Sequence, residues 1–268
     1  MKWIFPGLLL LVLAVCIGTI ISDRNKERSG IRPADTPFLD WIPGYPFIKG
    51  SGESAEIQDP GKNSKEADSV DMLIAGGIGR ITEEHSMEML LAGDIAIIGI
   101  GGYSGAYVED GTDDEVENVL MLTFENRGSG CSQLMEFVIN KKYRFEFTSL
   151  FPGETVRVLE ENRAEYTSGM EVDSAEIIRK ADFSGTPSLL EDRIDISETE
   201  GGLKVKNLSG QLLQDGKIYY KYGVSGALFG GITYMAAVPE LKPEEEIVLA
   251  PSHYVGGEST IRFVTCDE

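Results

Sequence analysis

The sequence predicts a mainly β fold, with two tandem β-sandwich domains behind an N-terminal transmembrane helix and a spacer. Three observations lead to this prediction: an uncharged apolar run after Lys2, a series of short β-branched and aromatic segments after Asp94, and one pattern of strands and turns that occurs twice. The chain has 268 residues, which is enough for two domains that each bury a hydrophobic core.

The N-terminal run is predicted to be a membrane anchor over residues 1–22. It reads KWIFPGLLLLVLAVCIGTII, and at about 1.5 Å per residue it just crosses a hydrocarbon core of about 30 Å. Bulky Ile20 and Ile21 lie where signal-peptide cleavage needs small residues, so we expect the anchor to be retained. Basic residues after the run favour an internal body. Long domains translocate largely regardless of flanking charge, however, and we expect an extracellular one.

Residues 23–69 are predicted to form a Pro/Gly-rich spacer. Their prolines oppose a helix and favour extended chain, so the segment is typical of a semi-rigid stalk. After it, the sequence ITEEHSMEMLLAG (81–93) predicts one short helix, with Thr82 as its cap and Gly93 as its stop.

From residue 94 onward the pattern favours strands, and an internal repeat divides them into two domains. In each copy a strand ends in an asparagine, Asn126 or Asn207, and a glycine-containing turn follows. A later strand then reaches a Leu-x-Pro-x-Glu corner, at Leu150–Glu154 or Leu241–Glu245. The predicted domains are therefore 70–170, with the short helix, and 171–268.

A glycine cluster in the first copy is similar to a dinucleotide-binding loop, but the similarity is incomplete. The segment DIAIIGIGGYSGAYVEDG has Gly99 and Gly101 in place, whereas Ser104 stands at the third glycine position. No amphipathic helix follows to hold a phosphate. The glycines instead predict a bulge or a tight turn at a strand end.

The charge balance limits the classes of partner. There are 44 acidic and 24 basic residues, so the net charge of −20 disfavours nucleic acid and anionic lipid headgroups. Acidic residues concentrate around Gly111 and form a candidate calcium loop, although their spacing is not that of an EF-hand. A solvated acidic turn is the alternative. The candidate ligands are Asp110, Asp113, Asp114 and Glu115.

Signals for catalysis are weak, and we predict no catalytic residue and no cofactor apart from the candidate calcium. The chain has two histidines, and Ser252 and His253 are adjacent, so on a strand they point to opposite faces. The alternation in KIYYKY places Tyr220 and Tyr222 together on a face that we expect to pack in a core. Outside the anchor the cysteines are Cys131 and Cys266, which form either one disulfide or two separate thiols.

The second copy resembles parts of known proteins. It reads NLSGQLLQDGKIYYKY and then GGITYMAAVPELKPEEEIVLAPSHYVGGESTIRFV. This sequence resembles uncharacterised single-pass membrane-anchored proteins of Gram-positive gut anaerobes. The strand–Asn–turn pattern is also similar to that of small extracellular immunoglobulin-like modules. The resemblance implies immunoglobulin-like sandwiches at the cell surface, and it supplies no catalytic residues.

Together these features predict a non-enzymatic cell-surface protein that is held in the membrane by its N-terminal helix. We expect a protein-binding, adhesion or scaffold role, with a protein partner that meets a sandwich face or edge. A carbohydrate-binding cell-wall protein is the first alternative and would need exposed coplanar aromatic rings. A surface hydrolase is the second and would need two carboxylates facing each other, one with a raised pKa.

Overall fold

The computed structural model describes residues 72–74, 78–91, 94–224 and 226–267, and this part of the chain is all β, with fourteen strands and no helix. The predicted mainly β fold class is therefore confirmed. The strands are β1 (Met72–Ile74), β2 (Gly79–Leu90), β3 (Ile95–Ala106), β4 (Glu115–Asn126), β5 (Ser132–Ile139), β6 (Tyr143–Leu150), β7 (Thr155–Leu159), β8 (Ala175–Asp182), β9 (Ile194–Thr199), β10 (Gly202–Asn207), β11 (Gln214–Val224), β12 (Ala227–Val238), β13 (Glu246–Leu249) and β14 (Ser259–Asp267).

These strands form three sheets. The largest has the order β1-β2-β3-β4-β7-β12-β11-β14, and the two smaller sheets have the orders β13-β10-β9 and β6-β5-β8. All described pairings are antiparallel except that of β7 with β12, which is parallel.

The strand pairing repeats along the chain. In the first set, β3 to β8, strand β4 pairs with β3 and β7 while β5 pairs with β6 and β8. In the second set, β9 to β14, strand β10 pairs with β9 and β13 while β11 pairs with β12 and β14. Each strand of the first set thus has a counterpart six strands later, as the repeat in the sequence implies.

Each set has its own hydrophobic core. The first is rich in phenylalanine, and Phe124, Phe137, Phe145 and Phe147 pack together with ring centroids 4.7 to 6.5 Å apart. The second contains aliphatic side chains of β10 and β11 together with the ring of Tyr220. Alternate side chains of a strand face the same side of a sheet, which places Phe145 and Phe147 of β6 in one core and Ile218 and Tyr220 of β11 in the other.

The two asparagines of the sequence repeat make the same contacts. Asn126 Nδ2 donates to Gly130 O (2.9 Å) and Leu150 O (3.0 Å), and Asn207 Nδ2 donates to Gln211 O (2.8 Å) and Leu241 O (2.9 Å). Both asparagines are fully buried. Each therefore ties the turn after its strand to the Leu-x-Pro-x-Glu corner.

The corners also match atom for atom. Phe151 N donates to Glu154 Oε2 (2.8 Å), and Lys242 N donates to Glu245 Oε2 (2.8 Å). In each corner the glutamate side chain thus closes the turn, and the single proline sets the backbone φ angle.

The predicted short helix over 81–93 is wrong, because residues 81–90 belong to strand β2. Met87 and Met89 both pack against the first core, whereas Leu90 is exposed, so the side chains alternate with the period of a strand. Strand β2 pairs with β3 from Gly79 to Leu90, with two register shifts, and this pairing supplies backbone partners. These tertiary contacts outweigh a local helix preference of a few tenths of a kcal/mol per residue.

The glycine cluster lies within β3, between β2 and β4. The register of the β3–β4 pair shifts next to Gly99 and Gly105, so the predicted bulge is confirmed. Gly105 has φ of +143°, which favours glycine, and a Cβ on Gly101 would overlap the backbone oxygen of Glu83. Close backbone approach between strands therefore accounts for these glycines.

The two sets are joined into one compact unit through β7 and β12. Leu228 pairs with Val156, and Phe229 pairs with Arg157. A third cluster of buried side chains lies across this join and contains residues of both sets: Tyr103, Met121, Leu159, Tyr222 and Phe229.

The predicted anchor over 1–22 and spacer over 23–69 lie outside the described residues. Within the described ranges no helix has the length and apolar character needed to cross a membrane. Cys131 and Cys266 form no disulfide with each other, and both thiols are half-buried. Burial raises the pKa of the Cys131 thiol.

Candidate functional site

A fully buried lysine lies where β12 forms a bulge next to the first set. Tyr220 pairs with Tyr234 and Tyr222 pairs with Phe229, so Lys221 alone faces the β12 bulge, residues 230–233. The Lys221 side chain is completely buried, and its Nζ donates to Gly230 O (3.0 Å) and Gly231 O (2.5 Å). The lysine thus replaces the strand partners that the bulge has lost.

Glu109 reaches the same bulge from the loop between β3 and β4. Its Oε2 accepts a hydrogen bond from Gly231 N (2.6 Å), and its Oε1 accepts one from Leu159 N (2.8 Å). Lys221 holds the carbonyl of Gly231 while Glu109 holds its amide. One glycine of the second set is therefore fixed by charged side chains from both sets.

Burial favours the uncharged form of both groups, so it raises the pKa of Glu109 and lowers that of Lys221. Desolvation raises the pKa of Glu109 to about 7, although the amides of Leu159 and Gly231 favour its charged form. Desolvation likewise lowers the pKa of Lys221 to about 7, against the attraction of Glu109. Their charges attract each other, and both side chains contact the peptide group between Gly230 and Gly231.

The bulge needs glycine at both positions. Gly230 has φ of +85°, and a Cβ there would press on the side chain of Val108. A Cβ on Gly231 would overlap the backbone oxygen of Glu146 in β6. The second set therefore approaches the first at backbone-to-backbone distance.

Hydroxyl groups extend the contact along β6. Thr148 Oγ1 donates to Gly231 O (2.9 Å) and lies 2.7 Å from Thr233 Oγ1, which in turn lies 3.1 Å from Ser149 Oγ. The junction, defined as the β12 bulge with Glu109, Lys221 and these hydroxyls, is thus a connected polar network.

A partly buried ion pair lies between the two sets near the junction. Arg262 of β14 donates to both carboxylate oxygens of Glu154 and to Ser149 O (3.0 Å). Its guanidinium also lies over the ring of Phe151, 4.2 Å from the centroid. The Leu-x-Pro-x-Glu corner of the first set is therefore capped by the second set.

Three of the four predicted calcium ligands contact basic side chains of the protein. Asp110 and Asp114 each lie 3.0 Å from Arg163 Nη2, and Asp113 lies 3.3 Å from His253 Nδ1. Glu115, at the start of β4, is exposed. Within the described ranges, no group of three or more acidic, histidine or cysteine side chains is arranged to hold a metal ion. Calcium binding stays a prediction.

His253 has a structural place in this loop. Its ring stacks on Tyr234, with centroids 4.5 Å apart, while Asp113 approaches from the first set. Tyr220 and Tyr222 are buried as expected from the alternation, and Tyr219 stacks on Phe263 on the opposite face.

Sequence reasoning missed Lys221 and gave Glu109 no role of its own. Alternation places Lys221 opposite the buried Tyr220 and Tyr222, on a face that a single sandwich would expose to water. The first set covers that face in the folded chain. The adjacent glycines Gly230 and Gly231 were the one available signal, because paired glycines in a strand indicate a bulge or close approach.

The arrangement can hold two β units in fixed register, and it places two groups with pKa near 7 around one peptide. Searches of protein-family models, curated proteins and solved structures found no match to this chain.

Proposed function

We propose that the chain is a non-enzymatic, membrane-anchored cell-surface protein that binds another protein as an adhesion, assembly or scaffold module. Its body consists of two immunoglobulin-like β-sandwich modules. We move their boundary from the predicted position at residues 170/171 to the connection between Asp182 and Ile194, because β8 pairs with β5 of the first set. In each strand set the pairing orders 1-2-5 and 4-3-6 are those of an immunoglobulin-like sandwich with six strands.

One observation supports a binding role most directly. The second set recognises the first by adding a strand to the β7 edge, with a polar network and an ion pair around it. This is the chemistry of β-strand addition, in which backbone pairing supplies affinity and side chains supply specificity. A module that binds its neighbour by strand addition can bind another protein by the same type of contact.

The other two function classes have less support. A sugar-binding platform needs exposed coplanar aromatic rings, whereas Tyr220 and Tyr222 lie in cores. A hydrolase needs an acid with a raised pKa opposite a second carboxylate. Glu109 has the raised pKa, but its oxygens are occupied by the amides of Leu159 and Gly231.

Labelling of intact cells tests the location. In a chain without its native cysteines, Gln211→Cys provides a thiol in an exposed turn. We expect a membrane-impermeant maleimide to label it on intact cells. Labelling that needs cell lysis would contradict the extracellular body.

Crosslinking on intact cells tests the binding role. We expect a defined protein partner that also binds the purified chain in isolation. If the purified chain instead binds wall polysaccharide with an affinity that substitution of exposed aromatic residues abolishes, the carbohydrate-binding alternative replaces our proposal.

A further inference from the structure

Strand β13 of the second set is the counterpart of β7 in the first. Both follow a Leu-x-Pro-x-Glu corner whose glutamate closes the turn, and both pair antiparallel with the strand that ends in the buried asparagine. The alignment of the two copies makes Ile247 equivalent to Val156 and Val248 equivalent to Arg157. The two edges therefore have the same backbone context.

Only one of these two edges is covered within the part of the chain that the structure describes. The parallel strand β12 lies on β7, whereas β13 ends its sheet with no second pairing partner among the described residues. An uncovered edge presents unpaired amides and carbonyls to a further strand.

The side chains of β13 fit a covered edge better than a solvent-facing one. Val156 and Val158 are fully buried in β7, but their equivalents Ile247 and Leu249 are only partly buried. Val248 is 61% exposed, and the equivalent position of the covered strand β7 is occupied by the charged residue Arg157. An edge strand with valine rather than a charged residue at its exposed position is not blocked against pairing with a further strand.

The acidic corner next to β13 can also receive a cation. In the first set Glu154 closes its turn and additionally receives Arg262 from the covering module. In the second set Glu245 closes the same turn, and no described arginine or lysine side chain forms an ion pair with it. A covering strand with a nearby basic side chain would reproduce the first interface.

We propose that β13 is a docking edge for a β-hairpin of another protein, which adds a strand parallel to β13 and presents a basic side chain to Glu245. This inference rests on the proposed protein-binding function and names its surface. A second copy of this chain is disfavoured as the occupant because its own hairpin already lies on β7 and because two chains of charge −20 repel each other.

Register-specific disulfide trapping tests the proposal. The probe is a synthetic peptide with the chain's own docking sequence, Lys217 to Thr233, because this segment already pairs with the equivalent edge. The target is the full chain in detergent micelles, without its native cysteines and with Val248→Cys, a change at an exposed side chain. Since Phe229 pairs with Arg157, a peptide cysteine at the Phe229 position should lie beside residue 248.

We expect this pair to form a disulfide at least about ten times faster than two controls. One control carries the peptide cysteine at the Lys217 position, which reports non-specific binding to micelle or protein. The other moves the protein cysteine to Asp195→Cys in β9, at the opposite edge of the same sheet. Glu245→Arg should slow the expected reaction because it repels the lysines of the peptide.

Equal rates at all positions would overturn docking at β13. Such a result would leave the cell-surface labelling and the isolated partner untouched, so it would be distinguishable from failure of the proposed function. Preferential trapping at Asp195→Cys would also overturn the proposal, because it would assign binding to the other edge.

Discussion

At the scale of single residues, a few buried polar side chains determine how the sheets end and join. Asn126 and Asn207 replace backbone partners at turns, and Lys221 replaces them at the β12 bulge. A buried donor or acceptor without a partner costs about 1–3 kcal/mol. Removal of one of these side chains should therefore lower the stability of the protein more than removal of an exposed polar side chain. Predictions for these residues follow from their partners.

Replacement of either asparagine by alanine should destabilise the protein by about 2–4 kcal/mol, because two carbonyls lose their donor inside the protein. Asn126→Ala and Asn207→Ala should have similar effects, since their contacts match. Chemical denaturation measures both. Asn162→Ala is the control, because its amide contacts only the neighbouring Glu160, and we expect a smaller loss. A negligible effect at one site would contradict the equivalence of the turns.

Lys221→Met should cost about 3 kcal/mol or more. The methionine keeps the apolar length but leaves Gly230 O and Gly231 O without a donor and Glu109 without a compensating charge. The double variant with Glu109→Gln should recover part of the loss, as a double-mutant cycle in urea would reveal. Strict additivity of the two changes would mean that the groups are independent.

The same pair should make stability depend on pH. The pKa of Glu109 is raised from 4.5 to about 7, so its contribution is lost as pH rises through that interval. The pKa of Lys221 is lowered from 10.5 to about 7, so its contribution is lost as pH falls through that interval. The combined contribution is therefore smallest near pH 7.

Denaturation between about pH 5 and pH 8 checks this assignment through Glu109→Gln. We expect the stability of the wild-type chain, relative to this variant, to decline from the acid to the neutral end. A difference that stays constant over the range would exclude a raised pKa at Glu109.

At the scale of elements, β2 and β12 depart most from what their local sequences favour. Residues 81–93 carry helix signals, yet pairing with β3 makes most of them a strand. Strand β12 pairs with β7 before its bulge and with β11 on both sides of it. The bulge turns one strand into a connector between the two sets.

Gly231→Ala tests the close approach at the bulge. We expect a loss of about 3 kcal/mol, because the added methyl group would overlap the backbone oxygen of Glu146, which has little room to move. Gly210→Ala is the matched control, since a Cβ on Gly210 would meet nothing within 4 Å, and it should change stability by less than about 0.5 kcal/mol. Thermal unfolding followed by circular dichroism compares the two, and equal melting temperatures would refute the close approach.

At the scale of the whole molecule, the junction couples two units that each have a core. The parallel β7–β12 pair, the third cluster and the Arg262–Glu154 ion pair all lie across it. We therefore expect both sets to unfold in one cooperative transition rather than separately. The acidic loop adds to this coupling, because Asp113 contacts His253 of the second set.

Arg262→Met should weaken both sets together, because it leaves Glu154 without its cation at the junction. Native-state hydrogen exchange provides the measurement: amides of β5 in the first set and of β10 in the second should lose protection by a similar factor. A loss confined to the second set would show that the two units unfold independently.

The sequence alone determined the all-β class and the internal repeat, since period-two alternation and the asparagine and Leu-x-Pro-x-Glu signals act within one strand or turn. Tyr220 and Tyr222 were correctly expected in a core for the same reason. Tertiary structure decided the rest: the strand at 81–93, the partners of the acidic loop, and the burial of Lys221. Each depends on contacts with segments distant in sequence, and apart from the paired glycines Gly230 and Gly231 no local pattern indicates them.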